Sequence, residues 1–227
     1  MRRIHRVVST AAVTFAVTVV SMGDVAAADG AVPLGGGAGI VVDGTYCTLA
    51  TIGHDKTGEL VGFTAGHCGG PGVPVVVEGS DSRGPVGTVA AVGDGMDYAV
   101  IKFDPGKVTP IANFAGFAIN GIGPDPDWHQ PACTNGAAHG VRCGGISSIP
   151  GPGPRSAMSR ALFQPGDDGG PVTSNDMLIG LAYGGNSAPA NVGMPQIDFT
   201  HYTKFSAITN DINAKGGPGA GFSPIPG

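Results

Sequence analysis

The chain has 227 residues, among them 41 glycines and 19 prolines, and its 12 basic against 17 acidic side chains leave a formal charge of −5. With no basic excess and no Lys/Arg cluster, the electrostatic footprint of a nucleic-acid binder is missing. A chain of this size can bury a real core, either as one domain or as two barrels packed together.

The chain opens with Arg2, Arg3 and Arg6, then an apolar run from Val7 to Met22, then small residues ending in Ala26, Ala27 and Ala28. This is the pattern of a secretory signal peptide over residues 1–28. The run is shorter than the roughly 18 residues of a spanning helix, and Ser9, Thr10, Thr14 and Thr18 interrupt it, so stable membrane insertion after cleavage is not expected. No later stretch is apolar enough to span. Residues 29–38 make a short mature N-terminal segment with no room for a long pro-region.

From residue 39 to 119, short runs rich in Val, Ile, Thr and Tyr alternate with Gly, Pro, Asn and Asp: "GIVVDG", "YCTLATIGH", "ELVGFTA", "VPVVVEG", "GTVAAVG" and "DYAVIKF". Residues 120–132 carry prolines that cannot donate to a strand ladder, so they read as a crossover. A second strand group follows over 133–215, with "VRCGGISSI", "AMSRALFQ", "GPVTS", "MLIGLAYGG" and "PQIDFTHY". The fold class is all-β, and many evenly spaced strands suggest closed antiparallel sheets, since closure removes unpaired edges. Only "TKFSAITNDINAK" has helical spacing, through Phe205, Ile208 and Ile212, with Thr203 or Ser206 as the capping residue. The Gly/Pro tail, 216–227, is expected to be disordered.

Cys47, Cys68, Cys133 and Cys143 all lie in the exported part, and four cysteines allow three pairings. One pair falls in each half, so Cys47 to Cys68 and Cys133 to Cys143 is the economical choice. The spacings lack a paired C-x-x-C pattern, which argues for structural staples and against zinc. No cofactor is expected.

Three motifs follow in order: "TAGHC" at 64–68, "MDYAVIKF" at 96–103 and "GDDGGPV" at 166–172. Together they resemble the chymotrypsin-like serine proteases, in which a His, an Asp opening an apolar strand and the Ser of G-D-S-G-G-P form a triad. His67 and Asp97 match the first two, and Asp168 stands at the serine position. "CTNGAAHGVRCG" and "YGGN" narrow the resemblance to bacterial proteases similar to alpha-lytic protease. It covers about Gly39 to Lys215 and implies two packed six-stranded Greek-key barrels with a short C-terminal helix. It also implies an oxyanion hole from the backbone N–H groups of Gly166 and Asp168, and a substrate-pairing segment at Tyr183, Gly184 and Gly185.

In such a site the serine oxygen attacks a carbonyl carbon, the imidazole takes its proton, and the Asp orients the imidazole. A carboxylate at 168 has no proton to give and would form a labile anhydride, so peptide hydrolysis should fail. With Asp97 and Asp168 on either side, His67 should hold its proton, and Asp168 is expected to offer an oxygen to the oxyanion hole. Two other positions depart from the family. Thr134 replaces the basic residue that usually pairs with Asp167, and Tyr183 replaces a serine that supports the triad Asp, so its phenol either reaches Asp97 or crowds the cleft.

The leading expectation is a secreted, monomeric pseudoprotease that takes a peptide or protein ligand in the inter-barrel cleft. A second is an active hydrolase or esterase with an atypical site, for which Ser174, Ser147 and Ser148 are the nearest other hydroxyls. A third joins His67, Asp97 and Asp168 around a divalent ion, which opposed placement on the imidazole disfavours. His129, His139 and His201 read as loop or surface polarity.

Overall fold

The computed structural model describes residues 30–147, 153–190 and 195–227; the signal-peptide expectation and Ser148 lie outside these. In the first half the strands are β1 (Val32–Leu34), β2 (Gly39–Val42), β3 (Thr45–Thr48), β4 (Thr51–His54) and β5 (Leu60–Thr64). β6 (Pro74–Val77), β7 (Gly87–Val92), β8 (Ala99–Phe103) and β9 (Val108–Pro110) complete it. The connection holds a small hairpin, β10 (Asn113–Phe114) with β11 (Phe117–Ala118), and then β12 (Gly121–Ile122).

The second half contains β13 (Pro131–Gly136), β14 (Gly140–Ile146), β15 (Arg155–Ser159), β16 (Pro171–Ser174), β17 (Met177–Ala188) and β18 (Ile197–Lys204). The helix α1 (Phe205–Lys215) and a last strand, β19 (Ser223–Pro224), end the chain.

Both halves curl, in different ways. In the second, β17, β16, β13, β14, β15 and β18 pair in that order and β18 pairs again with β17, which closes a six-stranded ring. In the first, the order β19-β4-β5-β8-β7-β6-β2-β3 leaves the ladder open between β3 and β4. Those two strands are separated by Leu49 and Ala50 alone, so they act as one bent run, and the covalent chain completes the curl where no ladder does. Closure by bending rather than by pairing is the one difference from the two closed barrels expected.

Alternation explains the inward faces: Ile40 and Val42 of β2 are buried while Gly39 and Val41 are partly exposed, the period-2 pattern of a one-sided strand. β5 is buried at every position because both its faces are covered. Helix α1 turns Phe205, Ile208 and Ile212 inward, and Phe205 meets Phe63 edge-on with ring centroids 5.2 Å apart. The second half has its own core, which includes Ile146, Met158, Val172, Ile179 and Tyr202.

Three expectations are corrected. The tail is ordered: Phe222 lies against Phe63 at 4.8 Å and Ser223–Pro224 pair with β4. A Gly/Pro-rich composition conceals this single aromatic anchor, and Gly53 makes room for the backbone of the tail strand, because a Cβ there would lie 2.0 Å from the Ser223 carbonyl oxygen. The helix takes no side-chain cap: Lys204 occupies that place, Thr203 belongs to β18, and the Ser206 hydroxyl donates instead to Asp125 at 2.5 Å. Within the crossover, Gly121–Ile122 does enter a ladder, parallel to Met177–Leu178, and Pro131 opens β13, the first position of a strand being where proline is tolerated.

The cysteines pair locally as the economical reading has it, Cys47 with Cys68 and Cys133 with Cys143. The first ties β3 to the turn after β5; the second joins directly opposed residues of β13 and β14. Each is expected to contribute about 2–4 kcal/mol.

Phe222→Ala tests the seated tail. Removing a buried phenyl from a packed trio should lower the unfolding free energy by about 3 kcal/mol in denaturant titration. A loss under about 0.5 kcal/mol, the scale of a surface change, would mean that the tail contributes no packing.

Candidate active site

His67 lies on a single 3-10 turn, Gly66–Cys68, that follows β5. A disulfide and the Asp97 carboxylate hold this turn. Its Cys68 is covalently tied to β3, and the carboxylate of Asp97 accepts the His67 backbone N–H at Oδ1 (2.8 Å) while its Oδ2 lies 2.7 Å from the ring Nδ1. Asp97 thereby sets both the position and the tilt of the imidazole. The next residue, Tyr98, is buried and donates its hydroxyl to Asp211 of α1 at 2.5 Å, which anchors the start of β8 to the helix.

Asp168 comes from the loop before β16, and this loop is docked on the first half. The Asp168 carbonyl accepts the Thr48 N–H at 2.7 Å, and the Gly166 carbonyl accepts the Thr48 hydroxyl at 2.7 Å. Gly169 has φ +89, and a Cβ on it would fall 2.2 Å from Thr64 Oγ1 and 2.4 Å from the Thr48 carbonyl, so only glycine permits so close an approach. This seating brings Asp168 Oδ1 to 3.1 Å from His67 Nε2.

The imidazole therefore sits between two carboxylates, one on each nitrogen. Asp168 first and Asp97 second, by hydrogen bonding and then by charge, raise the His67 pKa from 6.5 to about 10, against the opposing effect of partial burial. For Asp97, burial raises the carboxyl pKa, but hydrogen bonds from the His67 ring and backbone outweigh it and the net shift is downward. The expected placing of an Asp168 oxygen in the oxyanion hole is corrected: the carboxylate faces the imidazole, and among the described residues no loop N–H donates to it. The N–H groups of Gly166 and Asp168 find no acceptor among the described residues.

Asp167 is not left without a partner. It is 4% exposed and accepts backbone N–H groups from Ala138, His139 and Gln164 at 3.0–3.1 Å, and its Oδ2 lies 2.9 Å from His139 Nδ1. His139, read from sequence as surface polarity, thus fills the place opened by Thr134. The β13–β14 turn carries it back over the loop. A buried polar group needs such bonds to offset its lost hydration, and a histidine six residues after Cys133 was the available signal.

Tyr183 is held by Arg155 and His201. Its ring lies under the Arg155 guanidinium at 5.3 Å and stacks on His201 at 6.2 Å, and no hydrogen bond joins it to Asp97. Burial raises its phenol pKa, with Arg155 opposing and Asp97 adding. His201 is likewise engaged, bonded through Nε2 to Asn186, while His129 packs on Trp128 at 4.1 Å. Gly184 and Gly185 pair with His201 and Thr200 of β18. Beyond Ala182 the opposite edge of β17 carries no strand among the described residues.

Ser174 is buried, donates to the Pro131 carbonyl at 2.6 Å and accepts from Gln130, and the Ser147 N–H is bonded to Ala157. Neither is a partner of His67, whose ring nitrogens pair with Asp97 and Asp168. The metal alternative fails on geometry, because the two carboxylates approach opposite nitrogens and do not converge. Beside Asp168 lies a cleft of about 500 Å³ lined by Thr45, Tyr46, Glu78, Ala137, Ala138 and Pro165.

No protein-family model matches the sequence, and no curated protein matches it. Solved structures do. Protease A of Thermobifida fusca superposes with a TM-score of 0.64 at 20% identity, over 86% of this chain and 100% of its own. A Nocardiopsis protease gives 0.62 at 22% identity, over 80% of this chain and 97% of its own. The alpha-lytic protease homologue N4 gives 0.60 at 22%, over 84% and 98%. The chain has the chymotrypsin-like fold of bacterial serine proteases.

Proposed function

We propose that this chain is a secreted protease homologue that binds an extended peptide or protein segment in its cleft without cleaving amide bonds. The observation that carries the reading is the carboxylate of Asp168 at 3.1 Å from His67 Nε2, where the family places a hydroxyl. A base that already carries its proton cannot activate a nucleophile, and a carboxylate has no proton for it to remove. Binding, by contrast, needs parts that remain: the free edge of β17 at Tyr183, Gly184 and Gly185, along which a strand can add, and the cleft wall at Tyr46. The two disulfides suit an oxidising compartment, in keeping with the N-terminal signal pattern.

Asp168→Ser restores the G-D-S-G-G-P loop and is the test. The purified protein should leave peptide amides intact and give no labelling with a fluorophosphonate. The serine variant should label and cleave after small or apolar residues, weakly, because Tyr183 also departs from the family's pattern. Robust amide cleavage by the unmutated protein, abolished by His67→Ala, would overturn the reading.

The ring itself supplies a second check. Since its folded pKa lies above the unfolded value of 6.5, the stability drawn from the charged ring is fully present below pH 6.5 and is lost as pH rises through about 10. NMR titration should find His67 still protonated at pH 8, well above an ordinary histidine. A midpoint at or below about 6.5 would dismiss the two-carboxylate account.

A further inference from the structure

Asp168 fails against amides for a chemical reason that does not extend to every electrophile. Attack on an acyl carbon would give an anhydride, which reverts; attack on a saturated carbon gives an ordinary ester, which persists until water is activated against it. The groups that a second, hydrolytic step requires stand around that carboxylate. Nε2 of His67 is 3.1 Å from Asp168 Oδ1, and Asp97 holds the ring by Nδ1 at 2.7 Å. Asp168 is 16% exposed, enough for a small molecule to reach it, and the 45% exposure of His67 admits water to the ring.

We infer that Asp168, His67 and Asp97 form the nucleophile, proton-transfer group and orienting group of a hydrolase for oxiranes, opening these three-membered cyclic ethers to vicinal diols through an ester on Asp168. This goes beyond the binding reading, shares its site and does not require a peptide ligand.

The steps balance. A carboxylate oxygen of Asp168 forms a bond to a ring carbon as the carbon–oxygen bond of the oxirane breaks, and the departing oxygen takes the proton from His67 Nε2. The site then holds a hydroxyalkyl ester and a neutral imidazole. Esterification has removed one of the two anions that favoured the charged ring, so His67, an acid at the outset, becomes a base. It takes a proton from water as the water oxygen adds to Cγ of Asp168. The tetrahedral adduct collapses, the Cγ–O bond of the ester breaks, and the leaving alkoxide recovers the proton from His67 to give the diol. The carboxylic acid so formed passes its proton to the imidazole and restores the starting pair. One oxirane and one water become one diol, with no oxidant, reductant or cofactor. The cleft is lined by Tyr46, Ala137, Ala138 and Pro165 together with Thr45 and Glu78, and its apolar part suits small oxiranes with an apolar or aryl substituent.

The test incubates the purified chain with styrene oxide in water enriched in heavy oxygen. The diol should form, and the peptide containing Asp168 should carry heavy oxygen after a single turnover with enzyme in excess, because hydrolysis delivers the water oxygen to Cγ. Asp168→Ala should abolish both signals. His67→Gln should slow diol formation at least about 100-fold, the lower bound for losing a proton-transfer group. Diol without label in that peptide, alkylation of the His67 ring instead of Asp168, or no diol above the Asp168→Ala level would each overturn the inference. The labelling arm uses the unmutated protein, so misfolding of a variant does not affect it. Lack of oxirane opening leaves the peptide-binding reading standing, since the Asp168→Ser experiment tests that separately.

Discussion

Thr48 is the point at which the loop before β16 is fastened to the first half. Its backbone N–H serves the Asp168 carbonyl, its hydroxyl donates to the Gly166 carbonyl and accepts the Ala137 N–H at 2.9 Å, and its own carbonyl accepts the Thr64 hydroxyl at 2.8 Å. The side chain is fully buried, so none of these groups can turn to water instead. Removing the hydroxyl would leave a donor and an acceptor unsatisfied, each costing about 1–3 kcal/mol. The placement of Asp168 opposite His67 is therefore a property of β3 as much as of the loop that carries it. The disulfide from the neighbouring Cys47 to Cys68 brings the histidine turn to the same strand.

On that frame the charge balance of the site is inverted relative to a serine hydrolase. There, the imidazolium and the oxyanion exist only at the top of the barrier, and the preorganised donors lower it because nothing satisfies them beforehand. Here an imidazolium and its counter-charge are present at rest, 3.1 Å apart.

Much of this was legible in the sequence, for identifiable reasons. The positions of His67, Asp97 and Asp168 follow from three short motifs whose order defines a topology, and the two disulfides from one cysteine pair in each half. The strands of the first half were visible through the alternation of β2 and the apolar runs of β5 and β8. What escaped notice depends on contacts distant in sequence. His139 gains its role only because the β13–β14 turn folds over Asp167, and the Asp125 carboxylate, 81 residues away from Ser206, takes the hydroxyl that local pattern would assign to the helix end. Glycine and proline content points to a flexible tail, whereas Phe222 finds its pocket among Phe63 and Phe205 from other elements.

The bond from Tyr98 to Asp211 is short and spans 113 residues of sequence, and it has a mechanical meaning. Tyr98 is covalently next to the carboxylate that holds the imidazole, and Lys215 braces Asp211 from the last turn of the same helix at 2.9 Å. Local opening of a helix is ordinarily confined to its own residues. In this chain, fraying of α1 would slacken the segment that sets the tilt of His67. The C-terminal helix is thus a tensioning element for a side chain on the opposite half of the sequence, and disorder at one place is felt as misorientation at the other.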